Sequence, residues 1–92
     1  MVKITKNDID VVFKLARIKF DVMIERKGDF AFNSTLELLG AITQEYFEVE
    51  REIHAKGNSE LLDEELFDLM MACFWGVMSG RAYARGVTDN WS

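Results

Sequence analysis

Proline is absent from this 92-residue chain, and its six glycines are scattered and never adjacent. Proline breaks helices and glycine clusters mark turns, so their scarcity favours long uninterrupted helices over a many-turned sheet. The single cysteine, Cys73, excludes an internal disulfide and fits a reducing compartment. Within the run Leu69-Met-Met-Ala-Cys-Phe-Trp75 it reads as a small core residue. The single histidine, His54, leaves no zinc-ligand spacing. It also excludes a di-iron carboxylate bundle, which wants two Glu-x-x-His pairs. There is neither a Gly-rich phosphate cradle nor a Ser–His–Asp set.

Long apolar runs are missing too. The longest, Leu69 to Met78, is about half the ~20 residues a membrane crossing needs. The stretch Met1-Val-Lys-Ile-Thr-Lys6 lacks the apolar core and cleavage site of a signal peptide. A cytoplasmic protein with no membrane partner is expected. Cations are in deficit: 11 Lys and Arg against 16 Asp and Glu give a net charge of -5. That balance repels nucleic acid and anionic membranes. A phosphate substrate would then need a metal cation or a local basic cluster.

What is present is apolar residue in helical rhythm. Hydrophobic residues make up 49% of the chain, which places it among globular domains rather than disordered chains. Its length is that of one domain, residues 1–92, near the lower limit for a single core. The spacing predicts three helices. The first spans about Asn7 to Lys27, with Ile9, Val12, Phe13, Ala16, Phe20, Met23 and Ile24 on one stripe and Gly28 as its stop. A connector, Asp29 to Asn33, carries Phe30 and Phe32. The second begins at the capping box Ser34-x-x-Glu37, with the seam Leu39, Ile42, Tyr46, Val49 and Ile53, and is closed by Lys56 and Gly57. Asn58 or Ser59 caps the third, which runs to about Arg85 before Gly86. A break near Gly80 would make a fourth helix, and Val87 to Ser92 are expected to be a loose tail.

From Leu66 to Met78 the third helix is apolar around nearly its whole circumference, so it must be buried on several sides. Three helices of this size cannot cover it alone. The expected fold class is all-α, a bundle of three to four helices completed by homo-oligomerisation.

Two acidic pairs stand out: Glu45 with Glu48, and Glu65 with Asp68. A spacing of three places both members of a pair on one helical face. Their wheel neighbours, Leu38 and Ala41 on one helix and Leu61, Ala72 and Trp75 on the other, are apolar. If the hairpin turns near Asn58, Glu48 precedes it by ten residues and Asp68 follows by ten, so the two sit at one level. Glu45 and Glu65 then lie roughly 4.5 Å above and below that level. Packed helix axes about 8–10 Å apart would let four inward carboxylates converge on one or two cations. Oxygen ligands alone suit Mg2+ or Mn2+. Either pair by itself could be surface acids; two pairs at matching depth are the stronger signal. Glu50, Glu52, Glu60, Asp63 and Glu64 read as solvated, although Glu52 continues the Glu45–Glu48 line. His54 reads as a surface residue favoured by its helix C-terminus.

The pattern Glu45-x-x-Glu48, sixteen residues, then Glu65-x-x-Asp68 resembles the hallmark of the all-alpha nucleoside triphosphate pyrophosphatases, the MazG-like family. The stretch Phe32-Asn-Ser-Thr-Leu-Glu-Leu-Leu-Gly-Ala-Ile-Thr-Gln-Glu-Tyr-Phe-Glu-Val-Glu-Arg-Glu-Ile53 is similar to that family's first acidic helix. Glu64-Glu-Leu-Phe-Asp-Leu-Met-Met-Ala72 is similar to its second. The likeness covers roughly residues 28–80.

The resemblance implies a helical bundle assembled as a dimer or tetramer. It also implies Mg2+-dependent cleavage of a nucleoside triphosphate to monophosphate and pyrophosphate. Glu45, Glu48, Glu65 and Asp68 would then be metal ligands and catalytic residues. Many members open the first motif with two adjacent acids where this chain has Gln44-Glu45, which removes one charge, and their C-termini often extend further. A non-catalytic helical interaction protein is the competing expectation. For the triphosphate, Arg17 and Lys19 would lie level with the acids if the first helix packed antiparallel to the second. Lys14 points further away, and Arg81 and Arg85 could reach only another chain's site. Phe30 is the candidate for stacking on a base, with Phe32 and Trp75 better placed as core residues.

Overall fold

The structure is a computed structural model that describes residues 1–55 and 59–86. Three helices, α1 (Lys6–Lys27), α2 (Thr35–His54) and α3 (Ser59–Arg85), form an all-α bundle. The closing role expected of Lys56 and Gly57, the cap at Asn58 and the tail Val87 to Ser92 lie outside the described residues.

Local chemistry sets the helix ends. Thr5 caps α1 through a reciprocal capping box: its hydroxyl accepts from the Asp8 N–H at 3.2 Å, and the Asp8 carboxylate accepts from the Thr5 N–H at 2.8 Å. At the other end Gly28 takes φ 88°, the left-handed region that glycine enters without strain, and donates its N–H to the Ile24 carbonyl. Ser34 caps α2, accepting from the Glu37 N–H at 3.2 Å, while the Glu37 side chain accepts from the Asn33 N–H at 3.1 Å. α3 continues unbroken through Gly76 and Gly80, so no fourth helix forms among the described residues.

α2 and α3 pack along their lengths as the main hairpin, and α1 meets α3 but not α2. The expected antiparallel pairing of the first two helices is therefore replaced by a crossing of α1 over α3. Gly76 permits a close α2–α3 approach. A Cβ there would lie 2.7 Å from Leu38 Cδ1, so any side chain would force Leu38 to move. The connector after Gly28 is fixed to α3 by three side chains spaced four apart, hence on one helical face. Trp75 Nε1 donates to the Phe30 carbonyl at 3.0 Å, Ser79 Oγ accepts from the Phe32 N–H at 3.0 Å, and the Tyr83 hydroxyl donates to the Phe32 carbonyl at 2.8 Å. Phe20 from α1 joins this face, stacked on Trp75 with ring centroids 6.4 Å apart.

The face of α2 turned to α3 differs from the expected seam. Val49 is buried and Ile42 half-buried, but Leu39, Tyr46 and Ile53 are 58%, 51% and 57% exposed. The inward stripe instead runs through Leu38, Ala41, Glu45, Glu48 and Val49, all half-buried or buried. Apolar spacing could not favour that stripe, because carboxylates interrupt it. On α1 only Ala16 of the expected stripe is buried, with Phe20 and Met23 half-buried. Cys73 is exposed on α3 rather than in the core.

Ser79 is 2% exposed, and its hydroxyl anchors the connector. Replacing Ser79 by Ala strands the Phe32 N–H and is expected to lower the unfolding free energy by about 1–2 kcal/mol, read from urea denaturation. An unchanged midpoint would mean that the connector is held by its other two bonds alone.

Candidate metal centre

Glu45, Glu48, Glu65 and Asp68 meet on the inner faces of the α2–α3 hairpin. One carboxylate oxygen from each lies within 4.8 Å of the other three. The first three are half-buried, and Asp68 is more open. Glu45 Oε2 and Glu65 Oε2 are buried with no hydrogen-bond partner. Buried polar atoms are ordinarily satisfied, and these two are ones that a cation would satisfy. Oxygen ligands on opposite sides of an octahedral Mg2+ shell are about 4.2 Å apart. A spread of up to 4.8 Å is of the order of such a shell, so modest side-chain movement would bring the four oxygens onto one hard cation. The donor set fits such an ion.

The electrostatics point the same way. Burial raises the Glu45 carboxyl from 4.5 to about 7, helped by hydrogen bonding to Glu48 and by the charges of Glu48, Asp68 and Glu65. Glu65 is also raised, chiefly by its hydrogen bond with Glu48, then by burial and by the charges of Glu48, Asp68 and Glu52. Glu52, read from sequence as solvated, thus adds to the repulsion. Asp68 is raised by burial, which outweighs the opposing charges of Lys19 and Lys27. A carboxyl that keeps its proton at position 45 or 65 can donate to Glu48, which holds the metal-free cluster together.

The cluster opens into a groove of about 1300 Å³ bounded by α1, the connector, α2 and α3. Glu45 and Asp68 line it from α2 and α3, and Lys19, Arg26 and Lys27 line it from α1. Lys19 Nζ also sits 5.3 Å from the centroid of the Phe67 ring, a cation–π contact beside Asp68. Phe30 and Trp75 complete the apolar lining, and Phe30 is 83% exposed. Of the sequence candidates, the structure brings the four acids, Lys19 and Phe30 to this region. Arg17 does not line the groove; it pairs with Asp21 at 3.3 Å, one turn on, with both side chains exposed. Arg26 and Lys27 were missed. Their signal was available, since residues seven and eight beyond Lys19 share its helical face.

Comparison with known protein families, curated proteins and solved structures finds no match to this chain. The functional reading therefore rests on the geometry of the groove and on the acidic motif.

The raised carboxyls predict a pH signature. In the unfolded chain Glu45 loses its proton near 4.5, whereas in the fold it keeps it to about 7. The folded state binds the extra proton in that window, so this contribution to stability is present at low pH and lost as pH rises through about 7. The melting temperature of metal-free protein should fall between about pH 5 and pH 7.5, and millimolar Mg2+ should restore it at the upper pH alone. A flat profile, insensitive to Mg2+, would show that the four acids do not share one site.

Proposed function

We propose that the chain is a Mg2+-dependent nucleoside triphosphate pyrophosphohydrolase of the MazG-like kind, releasing a monophosphate and pyrophosphate. The observation that carries this reading is the convergence of four carboxylates within 4.8 Å, two of which, Glu45 and Asp68, line a groove together with Lys19, Arg26 and Lys27. Glu45, Glu48, Glu65 and Asp68 would hold Mg2+, with Mn2+ as the alternative ion. Bound there, the ion supplies Lewis-acid polarisation of a phosphoryl oxygen and lowers the pKa of water.

The chain's own groups account for the rest. Lys19, Arg26 and Lys27 supply the positive charge that a triphosphate needs in a protein of net charge -5. Lys19 and Lys27 are near enough for their charges to act on Asp68, so a polyphosphate in the groove would meet both acid-held metal and cations. Phe30, exposed at the connector, offers a ring face to a base. A carboxylate oxygen of the cluster left free by the ion would orient the attacking water and accept its proton.

Gln44 is exposed, and the charge it lacks relative to the usual motif bears on whether a second ion is held. A non-catalytic protein retaining this scaffold would bind the ion without turnover.

Purified protein incubated with a panel of nucleoside and deoxynucleoside triphosphates and Mg2+ should release pyrophosphate from at least one. Glu48→Gln should lower kcat by at least about a hundredfold, because it removes charge from the centre of the cluster. Unchanged turnover in that variant would remove the proposed site. Mg2+ binding without release from any nucleotide would instead favour the non-catalytic scaffold.

A further inference from the structure

Of the lysines and arginines among the described residues, Lys19 alone is not exposed. Long cations stay in water unless something holds them. What holds Lys19 is the half-buried ring of Phe67 on α3, whose centroid lies 5.3 Å from the Nζ atom, within the range of a cation–π contact. The backbone around that contact is anchored. Phe20, the next residue on α1, stacks on Trp75 and tilts against Phe74, with ring centroids 6.4 and 5.9 Å apart. Phe74 follows Phe67 by seven residues and so shares its face of α3. Residues 19 and 20 therefore rest together on one aromatic stripe of α3, with the cation at one end.

That is an unexpected resting place for a lysine. The residue after Phe67 is Asp68, one of the four clustered acids. Burial raises the Asp68 carboxyl, and the Lys19 charge is near enough to oppose the rise. Two other oxygens of the cluster lack any partner. An ammonium beside so many acceptors would ordinarily settle on one of them, yet Lys19 makes no ion pair with any of the four. A solvent-exposed ion pair and a cation–π contact stabilise by similar small amounts, so the ring can compete for the ammonium. Asp68 consequently keeps its oxygens open to a cation from solution. Lys19, which lines the groove, keeps its charge open to an anion there.

We propose that Phe67 is a positioning residue: its ring holds the Lys19 ammonium beside Asp68 but off its carboxylate, leaving the acid free for a divalent cation and the lysine free for a phosphate group. The inference rests on the metal-dependent reading above. It adds the residue that keeps the protein's own cation from filling the site.

Calorimetric titration tests this without turnover. Mg2+ is titrated into metal-free protein, and inorganic tripolyphosphate into protein saturated with Mg2+. Phe67→Leu removes the ring while keeping an apolar side chain; Lys19 then pairs with Asp68, and both affinities should fall by about threefold or more. Phe67→Met, also without a ring, should do the same, and Phe67→Tyr, which keeps the ring face, should match the wild type. In a Lys19→Met background Phe67→Leu should leave Mg2+ affinity unchanged, because no cation remains to be misplaced. A merely structural role for Phe67 would weaken binding in both backgrounds. The proposal is overturned if the wild type binds Mg2+ and the two ringless variants bind it equally well, or if the loss is the same in the Lys19→Met background. A wild type that binds no Mg2+ overturns it together with the metal-dependent reading, so the two failures are told apart.

Discussion

Packing of α2 on α3 presses four carboxyl groups into one small volume, and most of the molecule's chemistry follows from that constraint. The approach is close because Gly76 presents no side chain to Leu38. Along the same inner faces the sequence places Glu45, Glu48, Glu65 and Asp68 where apolar residues would ordinarily sit. Ionised together they repel, and burial removes the water that would screen them. The chain answers by retaining protons, which is why Glu45 titrates near 7. On the proposed reading a divalent cation would answer the same problem, satisfying the oxygens of Glu45 and Glu65 that lack a partner.

The second structural decision is the course of the chain between α1 and α2. Trp75, Ser79 and Tyr83 hold the connector on one face of α3, and Phe20 stacks on Trp75 from α1. These contacts set α1 across the mouth of the acidic cluster rather than beside α2. The groove exists because of that displacement. The same displacement brings the last turns of α1, with Lys19, Arg26 and Lys27, to face the acids. A surface salt bridge such as Arg17–Asp21 adds little to stability, but it draws the one other expected cation away from the groove.

Much of this was readable before any coordinates. The Ser34 cap, the ends of α1 and α3 and the acid cluster follow from spacings of three, four and ten residues, which a regular helix converts directly into position. What spacing could not supply was the choice between competing faces. α2 carries two stripes, one purely apolar and one mixed with acids, and a hydrophobic criterion selects the first. In the single chain α3 covers the second. Nor could periodicity tell which helix α1 would cross, because that depends on long-range bonds from Ser79 and Tyr83 to the connector. Arg26 and Lys27 were hidden for the same reason: their face was legible, but not what it faced. Cys73 was misplaced because a helix apolar around its circumference gives no sign of which side its neighbours occupy.

The mixed stripe and the pure stripe are linked energetically. Turning carboxylates inward deprives the α2–α3 interface of apolar contact that would otherwise stabilise the hairpin, and adds a repulsion that grows as pH rises. Only Ala16, Val49 and Met71 are buried hydrophobics among the described residues, a thin core for three helices. On the proposed reading, a cation that binds the folded state alone would offset the repulsion along the inner stripe and so stabilise the hairpin that holds it.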